Sequence, residues 1–256
     1  MRSRGTSVAS LKARGAGNAV DRWPVDDRAM TVWSTDPALR AAVDASLSWY
    51  DALCAVHGVP CGIEDDVWCA YSPPPPLHST AKTVEPGARP DRALAAISGV
   101  GSIADSFGAF DLTREGYRLL FEAQWIHLFA PSMGTRRLPD GWTSLATASE
   151  LRAWTSRHDT QDVLLPALLQ RSAFRVIGKK HDDGYRAGAV LHLGTGVVDI
   201  SNVWSTSMRV DWTDLVGAAT ALFPGRALVG YSHGTTLQDA SAAGFVPLGP
   251  HRVWIR

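Results

Sequence analysis

Apolar residues recur at helical spacing through Leu39, Val43, Leu47, Tyr50 and Cys54, behind Asp36-Pro37 and ahead of His57-Gly58. Aspartate at an N-cap, proline in the first turn and glycine past the end predict an amphipathic helix over this stretch. Val67 to Tyr71 forms a short apolar run that reads as a buried strand. It must stop at Pro73 to Pro76, since proline has no N–H to give a ladder, and the chain to Pro90 is expected to be an irregular loop with the prolines as a rigid connector. Asp91 to Ile97 fits a helix or a strand. From Tyr117 to Ile126 strict alternation puts Tyr117, Leu119, Phe121, Ala123 and Trp125 on one face, with Arg118, Glu122 and Gln124 on the other.

Breakers crowd Pro131 to Gly141, where a boundary is expected. Beyond it, Thr147 and Ser149 cap a helix through Trp154, and Val163 to Leu169 reads as a second apolar helix. Phe174–Gly178, Arg186–Leu193 and Val197–Trp204 read as an antiparallel meander, its last two strands joined by a tight hairpin at Gly194-Thr195-Gly196. Asp211 caps a helix ended by Pro224-Gly225, Ala227–Tyr231 is a strand, and Thr235 caps a last helix that stops at Gly244. Phe245 returns to the core and a final strand closes the chain. No internal repeat is visible.

Composition narrows the partners. With 256 residues, 45% of them hydrophobic, the chain can bury one large core or two small ones. Lys+Arg 25 against Asp+Glu 25 leaves no field to recruit nucleic acid or an anionic membrane. Cys54, Cys61 and Cys69 are odd in number and lack CxxC spacing, so reduced thiols in a cytoplasm are expected, and no metal site. No signal peptide or membrane-length apolar run is seen, and residues 1 to 29, rich in Gly, Ser, Ala and Arg, read as an extended or disordered arm.

The order from Phe174 onward, three strands, helix, strand, helix, strand, closes with Ala240-Ser-Ala-Ala-Gly-Phe245-Val-Pro-Leu-Gly-Pro-His-Arg-Val-Trp254-Ile-Arg. This resembles the GCN5-related N-acetyltransferases, the GNAT proteins, over residues 142 to 256. The resemblance implies an α+β fold, with a mixed, mostly antiparallel sheet flanked by helices. It divides the chain into an arm (1–29), an N-terminal α/β subdomain or degenerate GNAT-like half (30–135) and a GNAT-like acyltransferase domain (136–256).

In that family the fourth strand splays from the fifth, and the pantetheine arm of an acyl thioester lies in the gap like an added strand. Here the resemblance implies a gap between Val197–Trp204 and Ala227–Tyr231, with Ser201, Asn202, Val203 and Trp204 along the donor. The family's Gln/Arg-x-x-Gly-x-Gly/Ala pyrophosphate loop is replaced by Ser205-Thr-Ser-Met-Arg-Val-Asp211, which lacks the glycines that let backbone amides approach two phosphates. No tightly bound cofactor is therefore expected. The single phosphate of an acyl-phosphopantetheine on a carrier protein suits Ser207 and Arg209 better than free coenzyme A does.

Amide formation needs a base for the amine and an acid for the departing thiolate. Tyr231, ending the family's fifth strand, and His233 just beyond it are the candidate acids, although a packed strand-end tyrosine is the plainer alternative. His192 is the candidate base by its ordinary pKa. Asp105 and Glu122 are candidates for binding or deprotonating a cationic acceptor, and Trp68, Trp125 and Trp204 for lining its pocket. The expected function is N-acyl transfer from a pantetheine thioester to a small-molecule amine, by a monomer or homodimer. A non-catalytic binding module and a peptide N-acetyltransferase are the alternatives.

Overall fold

The computed structural model describes residues 36–97, 101–131, 137–182, 184–207 and 209–256. The expected arm at 1–29 lies outside them, as do residues 132–136 of the expected boundary. The first helix, α1 (Pro37–His57), begins where Asp36 accepts the Ala38 N–H at 2.8 Å and ends at Gly58 in the left-handed region. The remaining elements are β1 (Cys61–Glu64), β2 (Val67–Ala70), β3 (Ala81–Thr83), α2 (Pro90–Ala96), β4 (Ser102–Asp105), β5 (Arg118–Leu128), β6 (Trp142–Ser144) and α3 (Ala148–His158). After a 3₁₀ turn (Pro166–Gln170) come β7 (Phe174–His181), β8 (Gly184–Leu193), β9 (Val197–Ser205), α4 (Trp212–Leu222), β10 (Ala227–Ser232), α5 (Gly234–Ala242) and β11 (Val246–Ile255).

The eleven strands among the described residues join one sheet in the order β1-β2-β3-β4-β11-β5-β10-β9-β8-β7-β6. Its two outer parts repeat one scheme. β1-β2-β3 are antiparallel neighbours, and α2 leads from β3 to a parallel partner, β4; β7-β8-β9 are antiparallel neighbours, and α4 leads from β9 to a parallel partner, β10. β5 and β11 pair at the centre, β5 against β10 and β11 against β4, so each outer part is completed by a strand distant in sequence. The repetition is absent from the residue pattern, and only the family resemblance raised a degenerate GNAT-like half at 30–135 as one of two readings.

The two parallel pairs differ. In β3–β4 the rungs Ala81–Ile103 and Lys82–Ala104 are followed by a stitch: the Ser106 N–H donates to Thr83 Oγ1 at 2.8 Å, and Ser106 Oγ donates to the Thr83 carbonyl at 2.7 Å. In β9–β10 the rungs stop at Val229–Asp199 while β9 runs on to Ser205.

Alternation along β9 and β10 sorts the core. Val198, Ile200 and Leu228 pack under α4 and α5; Val197 and Val229 pack under α1 on the opposite face with Trp125. Each buried large apolar side chain contributes about 1.5–3 kcal/mol. Lys82 stands over the Trp125 ring at 5.1 Å although three strand spacings, roughly 14 Å in a flat sheet, separate β3 from β5. The sheet therefore curls around α1.

Several expectations need correction. The stretch after the prolines contains β3, a three-residue strand built around a buried lysine that an apolar pattern cannot signal. β1, β4 and β6, of three or four residues each, were also unseen. Asp91–Ile97 resolves to a helix. Val163–Leu169 is only the 3₁₀ turn, broken by Pro166. The last helix is preceded by His233, not Thr235, at the N-cap. The alternation of β5 fails midway: Leu119 faces Trp254 and Phe121 faces Val253, so β5 carries an extra residue, and Tyr117 belongs to the core under α2 rather than the one around Trp125.

Candidate active site

Beyond the Val229–Asp199 rung, Ile200–Ser205 and Gly230–Ser232 part and leave a gap. On its β9 side the ladder with β8 pairs Val190 with Ser201 and Gly188 with Trp204, so Asn202 and Val203 oppose Ala189 alone. Asn202 adopts φ 50, a left-handed conformation that asparagine tolerates, and forms a β-bulge. A bulge releases backbone groups from the ladder. Ser201 and Asn202 are half-buried beside the gap.

The concave face behind the gap is aromatic. Tyr231 pairs with Trp125 across β10–β5, with ring centroids 5.7 Å apart, and His251 lies 4.9 Å from Tyr231 and 4.8 Å from Trp125. Phe121 stacks on both Tyr231 (6.3 Å) and His233 (6.1 Å). Tyr231 and His233 are half-buried, whereas Trp125 and His251 are buried. Burial, with Tyr50 and Asp199 nearby, pushes the Tyr231 phenol well above its usual range, so it keeps its proton at neutral pH. Burial lowers the His233 imidazole, leaving it neutral there.

Two charged groups underlie this wall that the sequence reading missed. Asp199, at the last rung before the gap, is 4% exposed, and burial pushes its carboxyl up to about 7 against the pull of Lys82. Lys82 is 1% exposed and lies over the Tyr50 ring at 5.4 Å and the Trp125 ring at 5.1 Å; burial brings its ammonium down to about 7, against the pull of Asp199 and Asp105. At Asp199 the available signal was a charged residue in an otherwise apolar strand, whereas Lys82 lies in a strand that the residue pattern does not reveal.

No family model and no curated protein matches the chain by sequence. Solved structures match it in fold. A GCN5-related N-acetyltransferase from Kribbella flavida aligns over 83% of this chain and 95% of its own, at 14% identity and a TM-score of 0.56. A GNAT-family protein from Novosphingobium aromaticivorans aligns over 86% and 97%, at 12% identity and a TM-score of 0.55. This is the GNAT fold. A conserved protein of unknown function from Staphylococcus epidermidis shares it over 77% of this chain and 93% of its own, at 10% identity and a TM-score of 0.54. The likeness extends over more of the chain than the residues 142 to 256 that carried the resemblance in sequence.

At the end of the gap where GNAT proteins are expected to hold phosphates, α4 starts with its cap filled. Asp211 accepts the Asp214 N–H at 3.1 Å, and Asp214 accepts from Lys179 (2.6 Å) and the Trp142 indole (2.8 Å). Ser207 is tied down too: its N–H donates to Ser205 Oγ at 3.1 Å and its hydroxyl to the Arg209 carbonyl at 2.6 Å. The exposed Arg209 guanidinium lies 3.5 Å from Asp239. Two carboxylates on a helix N-terminus oppose the binding of a dianion there.

The other candidates fall in different places. His192 pairs with Asp199 across β8–β9, but its ring is buried against Phe174 at 4.4 Å and sits 3.4 Å from Ser48 Oγ. It lines a 680 Å³ cavity with Ser48, Asp51 and Arg171 that no gap residue reaches, and burial lowers it to about 4. Asp105 accepts the Phe107 (3.2 Å) and Phe110 (2.7 Å) N–H groups and so shapes the loop after β4. Glu122 is bound to Arg252 at 2.5 Å. The Trp204 side chain leaves the gap and packs on Trp154 (5.5 Å) and His158 (5.9 Å), so only its backbone borders the gap. Trp68 donates to Asp51 at 2.7 Å beneath α1. Of the three tryptophans, Trp125 alone lies in the wall behind the gap. Among the described residues no cluster of three or more metal-binding side chains occurs, and no helix is long and apolar enough to cross a membrane.

Proposed function

We propose that this protein transfers an acyl group from a pantetheine thioester to the amine of a small molecule. The observation that carries the reading is the parting of β9 from β10 after Val229–Asp199 beside a bulge at Asn202, in a sheet of GNAT topology. The pantetheine arm pairs with backbone groups of Ser201 to Trp204, and a freed amide near the bulge polarises the thioester carbonyl. The amine nitrogen bonds to the carbonyl carbon as the carbon–sulfur bond breaks. Asp199 receives the amine proton, and Tyr231, which holds its phenolic proton at neutral pH, gives one to the thiolate, with His233 as the second candidate. The match between a carboxyl near 7 and the working pH supports Asp199 over His192, whose basicity burial has largely removed.

The crowded start of α4 favours a donor with one phosphate, an acylated phosphopantetheine arm on a carrier protein, over coenzyme A, and the exposed Arg209, beside Asp239, is the cation placed to meet it. The acceptor's apolar part lies on Phe121 and Tyr231. Incubating the protein with acyl-coenzyme A and with an acylated carrier protein, in the presence of small-molecule and peptide amines, and following thiol release tests all three elements. Transfer to a small amine from the carrier protein, lost in Asp199→Asn, is the expected result; the absence of thiol release from every donor overturns the reading.

A further inference from the structure

The 680 Å³ cavity enclosed by α1, the residues after the 3₁₀ turn and the end of β8 takes no part in acyl transfer, yet its walls are chemically particular. Ser48 and Asp51 share one face of α1, Arg171 comes from the chain after the turn, and His192 stands at the base among apolar groups such as Ala52 and Phe174. A space of that size suits a molecule of metabolite dimensions. We propose that this cavity is a second binding site, for a small zwitterion: Asp51 takes its ammonium, Arg171 takes its carboxylate, and its apolar body lies on Ala52 and Phe174.

Asp51 is held ready for a cation. Its Oδ1 accepts the indole N–H of the fully buried Trp68 at 2.7 Å and the Cys61 thiol at 3.5 Å, whereas no partner among the described residues occupies Oδ2. One oxygen fixes the side chain and the other is offered. The Arg171 guanidinium forms no ion pair or hydrogen bond among the described residues, so it does not close on Asp51 although both line the same cavity. An arginine at a rim is by itself an ordinary solvated side chain; the imidazole at the base is not. His192 is 2% exposed, and the Ala45 carbonyl favours a proton on its ring, yet neither that carbonyl nor any other group among the described residues makes a hydrogen bond to Nδ1. Its Nε2 has only Ser48 Oγ, at 3.4 Å, where a well-made bond would measure about 2.8 Å. Buried polar side chains so poorly served are few in native proteins, and this one lines a cavity. Burial keeps the ring neutral at pH 7, so it and Ser48 add hydrogen-bonding capacity beside Asp51 without a charge that would repel an ammonium. An anion alone would be opposed by Asp51 and a cation alone by Arg171; a molecule bearing both charges answers both walls.

The proposal does not depend on the acyl-transfer reading. Calorimetry of the full chain with leucine and with 6-aminohexanoate, whose charges stand close together and far apart, should give for one of them a dissociation constant of about 1 mM or tighter. The amide of that compound, lacking the carboxylate, and its N-acetyl form, lacking the ammonium, should each bind at least about tenfold more weakly. Asp51→Asn, which keeps an oxygen for Trp68, and Arg171→Gln should weaken the zwitterion to a similar degree while melting near the parent temperature. The nitrogen-15 signals of the His192 imidazole should move on saturation while those of His233, beside the gap, stay in place. Failure of both compounds to bind, blocked forms that bind as well, undiminished binding in either variant, or a response at His233 in place of His192 overturns the site.

Discussion

Gly230 passes so close to Ile200 that a β-carbon on it would stand 2.7 Å from the Ile200 carbonyl oxygen. The contact lies just past the Val229–Asp199 rung, where the strands begin to part, and its partner is backbone that cannot swing aside. Glycine is required there by space, not by φ. Gly230→Ala is therefore expected to force the strands apart at the root of the gap and to cost about 1–3 kcal/mol in urea unfolding. Thiol release should fall as well, because the proposed donor site begins at this end. Parental stability in the variant would mean that the gap opens elsewhere.

Asn202 makes the second geometric demand. At φ 50, glycine relieves the backbone and valine strains it by roughly 1–2 kcal/mol. Asn202→Gly should retain fold and donor affinity, whereas Asn202→Val should lose both in part, as followed by melting temperature and calorimetry. Proline, with φ fixed near −65°, would break the strand here rather than delete one donor cleanly.

Free coenzyme A is expected to bind with a dissociation constant on the order of 100 μM or weaker, since α4 begins with Asp211 and Asp214 where phosphates would lie. Asp211→Ser keeps a cap and removes a charge. Calorimetry at low salt should show several-fold tighter coenzyme A binding to this variant, with the gain shrinking at high salt. Low-micromolar affinity in the parent would remove the reason for preferring a carrier protein.

Tyr231→Phe should lower turnover by roughly 10² at unchanged donor affinity, because general-acid help is felt only in the transition state. The rate of the parent should show no alkaline limb from Tyr231 near neutrality, as burial holds that phenol protonated. If the variant retains full turnover and His233→Ala does not, the imidazole at the start of α5 is the acid.

What could be read in the residues follows their physics. The helix from Pro37, the meander from Phe174 and the closing Gly244-Phe245 carry their own caps, alternation and stops, so local pattern sufficed. β3 and β4 are short and held mainly by partners distant in sequence, and Lys82 within β3 hides the apolar signal. Tyr231 could be placed because the family resemblance located the gap. Asp199 and Lys82 escaped because the pull between them depends on a sheet that curls enough for β3 to reach the wall beside β9, and no spacing along the chain records that curl.

Buried histidines set the response to acid. Burial holds His158 and His192, 3% and 2% exposed, at about 4, against 6.5 for a free imidazole. Between pH 6.5 and 4 the unfolded chain therefore binds protons at these sites that the folded chain refuses. The stability they confer is fully present above 6.5 and falls as pH drops through that window, by at most about 3 kcal/mol for each. His78, lowered to about 4, His251, lowered well below its usual value, and His127 and His233, also lowered by burial, act in the same direction. Asp199, raised to about 7, and Asp105 and Asp44, also raised by burial, bind protons more readily when folded and oppose the trend. Six lowered imidazoles against three raised carboxyls leave a net loss, so urea unfolding at pH 4.5 should give clearly lower stability than at pH 6.5. His158→Phe keeps the ring between Trp154 and Trp204 and removes one titration; it should shrink the difference by about 2 kcal/mol. An undiminished difference in that variant would mean that His158 takes up its proton in the folded protein, by opening the contact between α3 and β9.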